Sequence, residues 1–299
     1  GRSVSSRQHS RADYRDLVLL AVLWSGAFAL TDLAVETMTP AWSVSIRMLV
    51  SAAVLAPFMI INREPIPCTR KMWGWLTALA LCGALIPFFL LSWGITLIAS
   101  GLSAILVGVM PLITLVLARF FVPGETLTAT RIAGFVVGLV GLVIVVGPDA
   151  LEGASTDGTP LLGEMLVLAA AFFFAMNAII ARRAPPAPLY SKACLTTGLA
   201  GVIMLPLAWA EAPLNVNAIT LQSWIAVVVL GALPVGYATI VYFRVIESAG
   251  PSFMAMTNYL VPVLALGIGA IFLGETITLH AMIGLAVILG GIGLAELRR

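Results

Sequence analysis

Long apolar runs alternate with short polar breaks along the whole chain. A helix that crosses the hydrocarbon core of a bilayer needs about 20 mostly apolar residues. Ten runs meet that requirement, at 17–36, 40–61, 73–92, 101–121, 129–147, 161–182, 190–210, 221–243, 251–272 and 278–296. The pattern predicts an all-α integral membrane protein with ten transmembrane helices. The first run has a basic flank, but no small-residue cleavage pattern follows it, so it reads as a span and not as a cleavable leader.

The pattern also repeats. Gly124-Glu125-Thr126-Leu127-Thr128 recurs as Gly274-Glu275-Thr276-Ile277-Thr278, and each copy opens a glycine-bearing apolar run (Gly134, Gly138 and Gly141; Gly284 and Gly291). Pro57, Pro87 and Pro111 are answered by Pro206, Pro234 and Pro262 at similar spacing. Ten spans then divide into two sets of five. Five is odd, so the second set enters the membrane upside down, which is the inverted-topology repeat of many secondary transporters. The expected division is an N-terminal tail over 1–16, a first repeat over 17–147, a linker over 148–160, and a second repeat over 161–299 with a short C-terminal end. The linker is rich in Gly, Asp and small polar residues, as befits an exposed connection.

Composition agrees with a lipid solvent. Hydrophobic residues make up 61% of the chain and charged residues 10%, whereas a soluble domain is about a quarter charged. The net charge of +2 gives no reason to expect a nucleic-acid partner. Charge placement sets the orientation. With both termini in the cytoplasm, the inner segments hold 15 of the 16 basic residues and the outer loops hold none. That asymmetry is what the positive-inside rule demands. Cys68, Cys82 and Cys194 are scattered without zinc or redox spacing. Phosphate-loop, zinc-protease and dinucleotide fingerprints are absent. Only His9 and His280 are present, so neither an enzyme nor a cofactor or metal site is expected.

Four kinds of residue interrupt the apolar spans. Pro87, Pro111, Pro234 and Pro262 fall inside predicted helices, where proline removes a backbone bond and bends the helix. They are either packing features or hinges around a central cavity, and their paired placement favours hinges. Arg47 is the one basic residue buried within a span, away from its ends. A charge there needs a partner or water. It is either a carboxylate-binding group, since a guanidinium pairs with a carboxylate through two parallel bonds, or half of a structural ion pair with Asp32 or Glu36.

The third kind is a set of polar and aromatic side chains near mid-membrane: Trp24, Ser25, Phe28, Phe88, Ser92, Ser103, Phe173, Asn177, Tyr237, Thr257, Asn258 and Tyr259. Trp24/Phe28, Phe88/Ser92 and Phe173/Asn177 are spaced to share helix faces. A cavity with aromatic faces and a few amides suits a small zwitterion. The competing explanation is hydroxyls bonded back to their own helices and aromatics facing lipid. The amides of Asn177 and Asn258 are harder to satisfy alone. The fourth kind, Glu125 and Glu275, reads as helix-start architecture, since an acid complements a helix N-terminus.

The duplicated segments Pro111…Gly124-Glu125-Thr126 and Pro262…Gly274-Glu275-Thr276, with Trp24-Ser25-Gly26 early in the first half and Arg47 in the second span, resemble the EamA family of the drug/metabolite transporter superfamily. The second half departs from the family pattern, with Phe172 and Phe173 where tryptophan is usual. The resemblance covers about residues 17–297. It implies a secondary transporter of a small-molecule substrate, held in a bacterial inner membrane. Within the family the chain is similar to YddG-type exporters of aromatic amino acids, which implies export of amino acids to the periplasm. The alternatives are an exporter of cationic drugs or other metabolites, and a membrane receptor or scaffold that transports nothing.

Overall fold

The computed structural model describes residues 9–98, 100–123, 127–146, 159–261, 263–264 and 279–296. All described regular structure is helical. Fourteen helices matter here: α1 (Arg11–Trp24), α2 (Ala27–Val35), α3 (Pro40–Ile61), α4 (Arg70–Ala80), α5 (Ile86–Ile95), α6 (Ser100–Val107), α7 (Met110–Phe121), α8 (Ala129–Val146), α9 (Thr159–Arg183), α10 (Leu189–Glu211), α11 (Leu221–Leu230), α12 (Ala238–Ser248), α13 (Pro251–Ala255) and α14 (Leu279–Glu296). They fall on all ten predicted spans. The first span is α1 with α2, the third α4 with α5, the fourth α6 with α7, and the eighth α11 with α12. The glycine–glutamate motifs, most of the linker and Pro262 lie outside the described residues.

Helix starts follow the local sequence. Ser10 and Asp13 form a capping box, with the Ser10 side chain accepting the Asp13 amide and the Asp13 carboxylate accepting the Ser10 amide. This box begins α1 six residues before the predicted start at 17. Residues 11–16, expected in the tail, are therefore part of the first helix, and Asp16 is buried there. Thr39, Thr69 and Thr220 cap α3, α4 and α11 by the same side-chain acceptance, which satisfies otherwise orphaned amides.

Two of the broken spans show where the prolines act. A π-helical turn, Leu81–Leu85, joins α4 to α5 immediately before Pro87. Its counterpart, Gly231–Tyr237, joins α11 to α12 and contains Pro234. A π turn absorbs one extra residue and loosens the backbone ladder. The fourth span breaks at Gly108–Val109, just ahead of Pro111.

The helices pack with the symmetry of an inverted repeat. α3 lies against α10, the second span of one half on the second of the other, and α8 lies against α14 in the same way for the fifth spans. α5, in the third span, packs on α9, the first span of the other half, and α2 and α1, the first span, pack on α11 and α12, the third span of the other half. The α8–α14 contact is made through glycine. A Cβ on Gly134 would stand 2.5 Å from the Ala295 nitrogen, and one on Gly141 would stand 2.7 Å from the Ile288 nitrogen. Backbones approach this closely only where side chains are missing, the usual device for helix association in lipid. The repeated glycines are thus structural, as their spacing suggests.

Candidate functional site

A cavity opens between the two halves, lined by α2, α3, α5 and the π turn before it on one side and by α9, α10 and the α11–α12 span on the other. Of the predicted site residues, Trp24, Phe28, Arg47, Phe88, Asn177 and Asn258 line it, as does Pro234. Both halves therefore contribute.

Arg47 is fully buried. Its Nη2 donates to the Ser92 hydroxyl at 2.8 Å and to the Phe88 carbonyl at 3.2 Å, and its Nη1 donates to the Thr31 hydroxyl at 3.4 Å. Its guanidinium lies 4.6 Å from the centre of the Phe88 ring, a cation–π arrangement. Nε has no partner. Asp32 and Glu36, the proposed ion-pair partners, are both exposed and make no ion pair with it. Among the described residues the guanidinium is held by neutral groups only, on a cavity wall that carries no acid. Of the two readings of Arg47, the structural ion pair is not formed: Asp32 and Glu36 are exposed, while Thr31, beside Asp32, is buried against the guanidinium.

Trp24 reaches across the halves and donates from Nε1 to the Pro234 carbonyl at 2.9 Å. That carbonyl is available because the Ala238 amide reaches the Leu233 carbonyl across the π turn instead. Asn177 donates from Nδ2 to the Tyr242 hydroxyl at 2.8 Å, while its Oδ1 is buried without a partner. Asn258 donates to the Ala255 carbonyl at 3.1 Å in its own span and meets Met110 Sδ at 3.3 Å across the halves.

Other predicted residues sit elsewhere. Ser25 donates back to the Val22 carbonyl at 2.7 Å. Ser92 is buried behind the wall as an acceptor for Arg47. Ser103 and Thr257 are buried away from the cavity. Tyr259 is buried against Gly138 and donates to the Phe135 carbonyl at 2.8 Å, tying the ninth span to the fifth. Phe173 turns off the cavity wall and its neighbour Phe174 takes the place. Phe174 is three residues before Asn177, and positions three and four apart are equally close on a helix. Tyr237 is 40% exposed on the outside of the bundle. In an unbroken α-helix it would share the face of Pro234, but the extra residue of the π turn rotates it away and brings Thr239, Tyr242 and Phe243 inward. The wall residues Thr31, Thr196 and Tyr242 carried no isolated signal in the sequence. The hydroxyls read as ordinary helix-bonded groups, and Tyr242 falls near the predicted span end.

A duplicated helical bundle with a polar-edged cavity between its halves defines a multi-pass membrane transporter. The EamA-like transporter family matches residues 17–147 and again residues 161–296, and the chain belongs to that family. It is 23% identical over 277 residues to the uncharacterized transporter YoaV of Bacillus subtilis (strain 168), covering 92% of this chain and 94% of that one. It is 26% identical over 291 residues to a "probable terminal-alkyne amino-acid exporter" of Streptantibioticus cattleyicolor, covering 94% and 92%. It is 24% identical over 290 residues to the uncharacterized inner membrane transporter YedA of Escherichia coli (strain K12), covering 94% and 89%. A solved crystal structure shares the fold at a TM-score of 0.80 and 20% identity, covering 96% of this chain and 99% of that chain.

Proposed function

We propose that this protein is a secondary transporter that exports amino acids, apolar and aromatic ones included, from the cytoplasm to the periplasm by alternating access. The observation that carries the reading is Arg47, a buried guanidinium on the cavity wall with neutral partners and unfilled donors. A charge kept in that position without a protein counter-ion is costly, and a substrate carboxylate supplies the missing partner. An exporter of cationic drugs would place an acid or an uncharged aromatic cage there instead. The aromatic walls of Trp24, Phe28, Phe88 and Phe174 offer apolar surface to a substrate side chain.

Several observations support the remaining parts. The inverted repeat suits access from either side of a central site. The paired breaks beside Pro87 and Pro234 lie at the level of the cavity and give each half a place to bend. The distribution of basic residues supports an orientation with both termini in the cytoplasm and the linker over 148–160 in the periplasm. The export direction is supported by the Streptantibioticus relative, named a "probable terminal-alkyne amino-acid exporter", and the inner-membrane location by the Escherichia relative, named an inner membrane transporter. Uptake of a panel of labelled amino acids into proteoliposomes, with and without a pH gradient, tests the proposal. Saturable uptake of at least one amino acid that is lost in Arg47→Ala is expected; uptake of amines but of no carboxylate overturns it.

A further inference from the structure

The cavity has a second polar end. Asn177 Oδ1 and Thr196 Oγ1 are both buried without partners, on residues 8% and 4% exposed, and both residues line the cavity. A buried acceptor that finds no donor in the protein is costly unless water or a ligand meets it. Gly83 lies directly behind the Asn177 amide, since a Cβ there would stand 2.3 Å from Oδ1. The missing side chain lets the amide sit at the wall.

The two polar ends are well separated. Gly83 marks the level of Asn177 on the third span, and the Phe88 carbonyl and Ser92 hydroxyl mark the level of the Arg47 guanidinium on the same span. At helical rise, those levels differ by about 10 Å. The aromatic ladder agrees. Arg47 sits 4.6 Å from the Phe88 ring centre, Phe88 and Phe174 are 5.1 Å apart and edge to face, and Asn177 follows Phe174 by nearly one turn. The ammonium and carboxylate of a single α-carbon lie too close together to touch both ends. A carboxylate and a group at the far edge of an aromatic side chain are about the right distance apart.

Resting on the proposed amino-acid reading, we infer that Asn177 and Thr196 form a distal selectivity site. It favours substrates whose side chain ends in an N–H or O–H donor while Arg47 takes the carboxylate. Between the ends, the touching rings of Phe88 and Phe174 present apolar surface to the body of the side chain. A site built around an unfilled acceptor discriminates against the analogue that lacks the donor more strongly than an apolar pocket discriminates by size.

The test is a ratio measured within one preparation, so differences in the amount of folded protein cancel. Counterflow rates of tyrosine and phenylalanine, and of tryptophan and 1-methyltryptophan, are compared for the wild type, Asn177→Ala and Thr196→Val. The wild type should favour the donor-bearing member of each pair by about tenfold. The preference should shrink toward equality in Asn177→Ala and fall in part in Thr196→Val, which keeps the shape of the side chain. If Asn177→Ala does not fold, the Thr196→Val ratio decides. An equal rate for both members in the wild type, or an unchanged ratio in the variants, overturns the distal site while leaving amino-acid transport standing. A wild type that moves no amino acid removes the proposed function and this inference together.

Discussion

Glu64 accepts the backbone amide of Ser191 at 2.6 Å, and at the opposite end of the same helix pair Glu211 accepts the backbone amide of Ala41 at 3.0 Å. Each glutamate ends or follows one helix of the α3–α10 pair and caps the first turn of the other. The pair is antiparallel, so the C-terminal end of each helix lies beside the N-terminus of its mate, where an anion meets unpaired amides and the positive dipole end. Both ends are reinforced. The Ser191 hydroxyl donates to the Pro65 carbonyl at 3.1 Å, and Trp42 Nε1 donates to the Ala212 carbonyl at 2.8 Å. The inverted repeat has thus built one interaction twice, once on each membrane face.

Glu64→Ala and Glu211→Ala should each lower stability by about 1 kcal/mol, the usual scale for losing a helix cap. The two sites lie at opposite ends of α3, far enough apart for their effects to add in the double variant. Thermal unfolding in detergent checks this. A double variant no worse than either single one would mean that the two caps are not independent supports.

The ten spans were legible because lipid imposes a simple rule: every span must be long, apolar and internally hydrogen-bonded. The repeat was legible because glycine and proline mark places where geometry tolerates little else, and Gly134, Gly141 and Gly291 do lie at a backbone contact. The cavity was legible only in part. Arg47 and Asn177 stand out because charge and amide are expensive in hydrocarbon. Which of Phe172, Phe173 and Phe174 faces inward is a matter of helical phase, and no composition signal fixes phase. Tyr237, expected in the cavity, faces outward and Tyr242 lines the wall because one π turn shifts the register by a residue. The early start of α1 was missed because Arg11 and Arg15 made residues 11–16 look like a solvated tail, while Asp16 is buried there and pairs with Arg244 at 3.1 Å.

Arg47 separates a structural role from a binding role. Neutralising Asp32 or Glu36 should not rescue Arg47→Ala, since both acids are exposed and unpaired with it. Arg47→Lys keeps the charge but loses the planar fork, so it should retain a fraction of the transport that Arg47→Ala loses. Rates in proteoliposomes, normalised to inserted protein, read both. Recovery of transport in Arg47→Ala/Asp32→Asn would restore the ion-pair explanation.

Orientation is open to chemical labelling. In a background lacking Cys68, Cys82 and Cys194, a cysteine replacing the exposed Asn217 should react with a membrane-impermeant thiol reagent in intact cells. A cysteine replacing Arg183 should react only after the membrane is opened. The reverse pattern would invert the topology.

The adjacent glycines Gly290 and Gly291 on α14 make the sharpest stability test. A Cβ on Gly290 would meet nothing within 4 Å, whereas one on Gly291 would stand 2.6 Å from the Gly138 nitrogen and 2.7 Å from the Gly134 carbonyl oxygen. The two positions are neighbours in the interior of the same helix, so helix propensity acts on both alike. Alanine in place of glycine inside a helix is favourable by roughly 0.5–1 kcal/mol where space allows. Gly290→Ala should therefore raise the unfolding temperature slightly. At Gly291 the obstacle is backbone, which cannot swing aside as a side chain can, so α8 and α14 must separate. Overpacking of that kind costs about 1–3 kcal/mol, more than the propensity gain. Gly291→Ala should lower the unfolding temperature, and Gly134→Ala, facing the Ala295 nitrogen from the other helix, should do the same. Similar small shifts for Gly290→Ala and Gly291→Ala would mean that the two helices do not meet backbone to backbone, and the account of the α8–α14 contact would have to be abandoned.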